Sequence, residues 1–176
     1  MIDQLARRRW LPWAAAGLLC VIAFALRLAV FNLSAYGDEM STLWIVKKNF
    51  VGGVISAVNS DAEISPPFYF LLAKAVTVFG QTVSAIRLPS LVSGMLVLPL
   101  YFLLAVKLLG RRAAWYTLAI VSVSPLLVSI SATARAYSVM VLMVVLSALV
   151  LVYATSDNGR WWHWLGFSVT AALAVY

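Results

Sequence analysis

The sequence predicts an all-α fold, a polytopic transmembrane helix bundle with amphipathic juxtamembrane helices in its first outer loop. Two observations carry this. Hydrophobic residues make up 64% of the chain and charged residues 11%, where soluble domains hold about 25% charged residues, and the mean hydropathy is +0.97. The apolar residues also gather into runs of about twenty, the length a helix needs to cross roughly 30 Å of hydrocarbon. The net charge of +7 raises the question of nucleic acid. The Lys and Arg residues, however, stand between the apolar runs and form no continuous basic face, so they read as topology signals and nucleic acid is excluded as a partner. Cys20, the single cysteine, lies inside the first run, so neither an intrachain disulfide nor a cysteine metal site is on offer.

Arg7-Arg8-Arg9 precede the first run, spanning about 11–31, and positive charge on that short flank holds the N-terminus in the cytoplasm. A cleaved signal peptide is the competing reading, but its apolar core is only about 7–15 residues and Leu33-Ser34-Ala35 is a poor cleavage site. Arg27, near the far end of this span, either snorkels to the outer interface or lines the bundle interior.

The outer loop is expected over 32–87. It opens with the adjacent carboxylates Asp38 and Glu39, and Met40 to Val58 mixes apolar residues with Lys47, Lys48 and Asn49, the pattern of an interfacial helix. A polar loop, Asn59 to Glu63, then leads to Ser65-Pro66-Pro67. The first proline disfavours helix at Ser65 and the second opens one. That helix, ending near Phe79 and carrying Lys74, is too short to span comfortably.

The next run, about 88–109, is long enough to cross and ends in Lys107 and Gly110-Arg111-Arg112, cations that belong inside. Further spans are expected at about 113–130 and 137–153, with the turn Ser131 to Arg135 between them. Trp161, Trp162 and Trp164 then form an interfacial aromatic group ahead of an incomplete span at about 162–176. Residues 1–176 are accordingly read as one unit, the N-terminal part of a larger transmembrane domain.

This topology gathers Asp38, Glu39, Asp61, Glu63, Arg87 and Arg135 on the outer face. Carboxylates and guanidinium groups together suit a nucleophile attacking a phosphate-linked centre, because the planar fork of Arg donates paired charge-assisted hydrogen bonds to phosphate. Headgroup anchoring is the alternative role for either arginine.

The ordered fragments Gly37-Asp38-Glu39, Pro66-Pro67-Phe68-Tyr69, Phe79-Gly80, Arg87-Leu88-Pro89-Ser90, Gly110-Arg111-Arg112, Ser124-Pro125 and Ala134-Arg135-Ala136-Tyr137-Ser138 resemble the type C glycosyltransferases. More narrowly, they resemble the protein O-mannosyltransferase and lipid A aminoarabinose transferase group. Ser65 departs from the His or Lys that many relatives carry before the paired prolines. The resemblance implies an enzyme of the plasma (inner) membrane that moves a sugar from a polyprenyl-phosphate carrier to a lipid, glycan or protein acceptor on the extracytoplasmic face.

In that reading Asp38 is the catalytic carboxylate that takes the proton of the acceptor hydroxyl. Glu39 orients substrate or binds an Arg or Lys. Arg87 and Arg135 bind the donor phosphate, with Lys74 a further candidate, and Tyr69 and Tyr137 pack on the sugar or carrier or anchor at the interface. No cofactor is implied with certainty, and the Asp-Glu pair leaves a divalent metal open. The competing class is a polytopic transporter or flippase, which would use Arg27 and Lys74 along a substrate path near the membrane midplane. A noncatalytic remnant is a third reading.

Overall fold

The computed structural model describes residues 2–33, 37–47, 51–58, 67–156 and 159–175, and among these every regular element is helical. In chain order they are α1 (Ile2–Phe31), α2 (Gly37–Val46), α3 (Val51–Ala57), α4 (Pro67–Val76) with a 3-10 turn at Thr77–Phe79, α5 (Val83–Leu109), α6 (Arg111–Val123), α7 (Pro125–Ser131), α8 (Tyr137–Ala154) and α9 (Trp161–Val175). The polar loop Asn59 to Glu63, the Ser65-Pro66 step and Asp157 lie outside the described residues.

Among the described residues, three segments are long and apolar enough to cross a membrane, Pro12–Phe31, Val83–Leu109 and Tyr137–Ala154. The expected span at 113–130 is not one straight helix. It is the pair α6 and α7, bent by 55°, and the break falls where Pro125 supplies no N–H and leaves the carbonyl four residues back without its helical partner. Arg27 meets this break. It is fully buried in the bundle interior, and its Nη1 donates to Ala23 O at 3.0 Å and to Ser122 O at 3.5 Å, the second a carbonyl at the end of α6. The core between α1, α5, α6 and α8 is built from Ala23, Val97, Leu98, Leu118, Val121 and Leu142.

The α5 boundary also differs from the sequence expectation. The helix starts at Val83, not near residue 88, because Thr82 caps it by accepting the Ala85 N–H at 3.2 Å. Arg87 is therefore a helix residue one turn in, not the last residue of a loop. Pro89 and Pro99 sit inside α5. Where α5 meets α7 and α8, Gly94 leaves room for a close approach: a Cβ there would lie 2.0 Å from Ser131 Oγ and 2.5 Å from Ser131 Cβ.

The interfacial helix expected over Met40 to Val58 is two helices, α2 and α3. In α2 the buried residues include Glu39, Thr42, Leu43 and Val46, the i, i+3, i+4, i+7 spacing of one helix face, while Met40 and Trp44 are exposed. Leu43 and Val46 pack with Tyr69 and Ala73 of α4, Ile86 of α5, Ala134 and Val139. Ile45 packs on the other side with Val54, Ala57, Val58 and Phe70. Hence α2, α3 and α4 form a small layer seated on one end of the bundle, at the start of α5 and α8. At the opposite end Lys107 lies 4.6 Å from the centre of the Tyr153 ring, and Arg160 3.8 Å from that of Trp162.

Candidate active site

Asp38 and Glu39 occupy the first turn of α2, where the partial positive charge of the helix N-terminus favours carboxylates. Adjacent residues of a helix are rotated by about 100°, and here the rotation separates two environments. Glu39 is 1% exposed, and its carboxylate meets the Arg87 guanidinium edge to edge, Nε to Oε1 at 2.7 Å and Nη2 to Oε2 at 2.5 Å. Oε1 also accepts the Ala134 backbone N–H at 2.7 Å. Asp38 points outward, with its side chain 74% exposed.

Arg87 is itself 3% exposed. Its third nitrogen, Nη1, donates to the carbonyls of Phe31 and, at 3.0 Å, of Leu33, which lie at and beyond the C-terminus of α1, where backbone oxygens lack helical partners. One guanidinium thus joins the end of α1 to the start of α2 from a position on α5. Through Glu39 the same network holds the α7–α8 turn at Ala134. Thr42 adds a second tie to that turn, its Oγ1 lying 3.1 Å from Ala134 O.

Arg135 is the arginine beside Asp38. Its Nη2 lies 3.7 Å from Asp38 Oδ2, and its side chain is 14% exposed. The backbone behind it is fixed separately, because Ser90 Oγ lies 3.2 Å from both Arg135 O and the Tyr69 hydroxyl, and Ser138 Oγ donates to Ser90 O at 2.8 Å. Tyr69 is buried and donates to Ile86 O at 2.9 Å. Its burial pushes the phenol well above its ordinary pKa, against a smaller lowering by the Ser90 hydrogen bond, so it stays a neutral donor.

Lys74 and Tyr137 are the remaining expected residues. Lys74 donates from Nζ to Val46 O at 2.8 Å, at the C-terminus of α2, where a cation suits the exposed carbonyls. Tyr137 opens α8 and is exposed. Among the described residues, no three His, Cys, Asp or Glu side chains lie together, and both Glu39 oxygens are engaged with Arg87, so Asp38 and Glu39 do not converge as a pair of ligands. Sequence reasoning missed Thr42, Ser90 and Ser138. Ser90 and Ser138 stood inside the resembling fragments, and their signal was hydroxyls on otherwise apolar helix faces.

Bundle and charged cluster together define an integral membrane protein, all-α, with a carboxylate and a guanidinium presented at one end. The chain belongs to the dolichyl-phosphate-mannose-protein mannosyltransferase family, which matches residues 64–176, and is thereby a mannosyltransferase-like membrane glycosyltransferase. The matched stretch contains Tyr69, Lys74, Arg87, Arg135 and Tyr137 and begins after Asp38 and Glu39. Neither curated proteins nor solved structures give a significant match to the chain.

Proposed function

We propose that the protein transfers a sugar from a polyprenyl-phosphate carrier to an acceptor hydroxyl at the membrane face that carries Asp38, and that this face is extracytoplasmic. The observation that carries the reading is the placement of Asp38, an exposed carboxylate 3.7 Å from a guanidinium and next in sequence to a residue locked into the protein interior. Such a pair offers a proton acceptor and an anion ligand side by side. Basic residues at the opposite end, Lys107, Arg111, Arg112 and Arg160, favour a cytoplasmic position for that end.

In the reaction, the acceptor oxygen attacks the anomeric carbon while the bond from that carbon to the phosphate oxygen breaks. The acceptor proton passes to an Asp38 oxygen in concert with attack, since a free hydroxyl is far less acidic than a carboxylic acid. Polyprenyl phosphate leaves with added negative charge, which Arg135 neutralises. Preorganised charge of this kind is commonly the largest catalytic contribution, one lost donor costing about 10²–10³ in rate.

Arg87, expected from sequence to hold the phosphate, is assigned a positioning role instead, because its three nitrogens are turned to Glu39 and to backbone carbonyls. Glu39 is the other half of that brace. Lys74, bonded to the end of α2, supports the same layer, and Tyr69 fixes the wall formed by α4 and α5. Tyr137, exposed at the start of α8, remains available to the sugar or the carrier.

The test is incubation of labelled polyprenyl-phosphate sugar with sealed vesicles carrying the protein. Label should move to acceptor on the Asp38 side, with release of polyprenyl phosphate. Donor crossing the bilayer without transfer would favour a flippase.

A further inference from the structure

A cleft lies at the end of the bundle away from Asp38. It has a volume of about 480 Å³ between α1, α5 and α6 and is lined by Pro12, Trp13, Cys20, Pro99, Trp115 and, at its charged edge, Arg111, among others. Apart from Arg111 the described lining is apolar. Pro12 and Pro99 lie within helices α1 and α5, so each places a ring, in a turn short of one backbone hydrogen bond, against the gap. From Trp13 to Cys20 the wall of α1 rises about 10 Å, most of one hydrocarbon leaflet at about half of 30 Å. The volume falls within the roughly 300–1,000 Å³ of ordinary ligand clefts.

We propose that this cleft is a binding site for an anionic phospholipid of the leaflet opposite Asp38, one acyl chain lying between α1, α5 and α6 and the phosphate meeting Arg111. Charge complementarity decides the occupant. Among the described residues, the cleft joins an apolar, leaflet-deep wall to one guanidinium at the level of the basic helix ends, and a guanidinium is suited to phosphate by its paired donors. Lys107 is directed elsewhere, over the Tyr153 ring, so among the described residues Arg111 is the cation that lines the cleft. The site stands apart from the sugar-transfer reading and does not depend on it.

Two tryptophans in the lining make the test direct. The purified full chain in zwitterionic bilayers is titrated with acyl-brominated phosphatidylglycerol or acyl-brominated phosphatidylcholine, and quenching of the Trp115 emission is taken as the difference between wild type and Trp115→Phe. Phosphatidylglycerol should quench that component at about fivefold lower concentration, the preference expected from one basic residue near an anionic lipid. Arg111→Gln should abolish the preference, Arg112→Gln should keep it, and Ala16→Phe, which fills the cleft, should weaken quenching by both lipids. Equal quenching by the two lipids in wild type, a preference that survives Arg111→Gln, or equal loss in Arg111→Gln and Arg112→Gln would overturn the proposal. So would displacement of the brominated lipid by polyprenyl phosphate but not by unlabelled phosphatidylglycerol, which would give the cleft to the carrier.

Discussion

Glu39 and Arg87 face each other edge to edge across the start of α2 and the first turns of α5, with paired contacts of 2.7 and 2.5 Å between residues 48 apart in sequence. Burial of both makes the pair a brace whose halves depend on one another. Replacing either partner strands the other as an uncompensated buried charge, which costs about 3–5 kcal/mol. Glu39→Gln and Arg87→Ala are therefore expected to lower the midpoint of thermal unfolding in detergent sharply, and the double variant to lose less than the sum of the two. Additive losses in that cycle would show that the two side chains act independently.

Asp38 obeys the opposite rule. It is exposed, so Asp38→Asn should change stability by no more than about 0.5 kcal/mol while removing the proposed base. Transfer from the polyprenyl-phosphate donor should fall to background with donor binding retained. Turnover near the wild-type rate in this variant sinks the catalytic assignment.

Arg135 separates phosphate recognition from membrane anchoring. Lysine keeps the charge and loses the fork, and a charged hydrogen bond is worth about 1.5–3 kcal/mol, so Arg135→Lys should reduce kcat/KM for the donor by about ten- to a hundredfold. The backbone of Arg135 is held by its carbonyl, near Ser90 Oγ, and this contact survives the substitution. Unfolding should be unchanged, and kinetics equal to wild type would return Arg135 to an anchoring role.

Gly94 tests the packing of α5 against α7. Its added methyl in Gly94→Ala would overlap Ser131 Oγ and Cβ, and overpacking costs typically about 1–3 kcal/mol. Ser131→Gly should restore much of that loss in the double variant. Failure of the rescue would place the clash elsewhere.

Sidedness is checked by single cysteines in a background lacking Cys20. Gln81→Cys and Thr133→Cys are expected to react with an impermeant thiol reagent from the Asp38 side, and Ser156→Cys only after permeabilisation. Reaction of Gln81→Cys and Ser156→Cys from the same side would rule out the arrangement.

The sequence by itself determined the class of fold, because apolar runs at bilayer length leave the backbone no partner but its own helix, and the cations after Lys107 marked one end of the bundle. It also picked out Asp38, Glu39, Arg87 and Arg135 as the charged groups to examine. What it could not apportion was which carboxylate takes which arginine. That was decided by α2 docking with its Glu39, Thr42, Leu43 and Val46 face inward, which turns one of two adjacent acids into the interior and the other to the surface. The same holds for Arg87, whose residue type suits a phosphate and a carboxylate equally well. Only the approach of α5 to the end of α1 and the start of α2 filled its fork from within the protein, and that approach depends on long-range packing that no local spacing encodes.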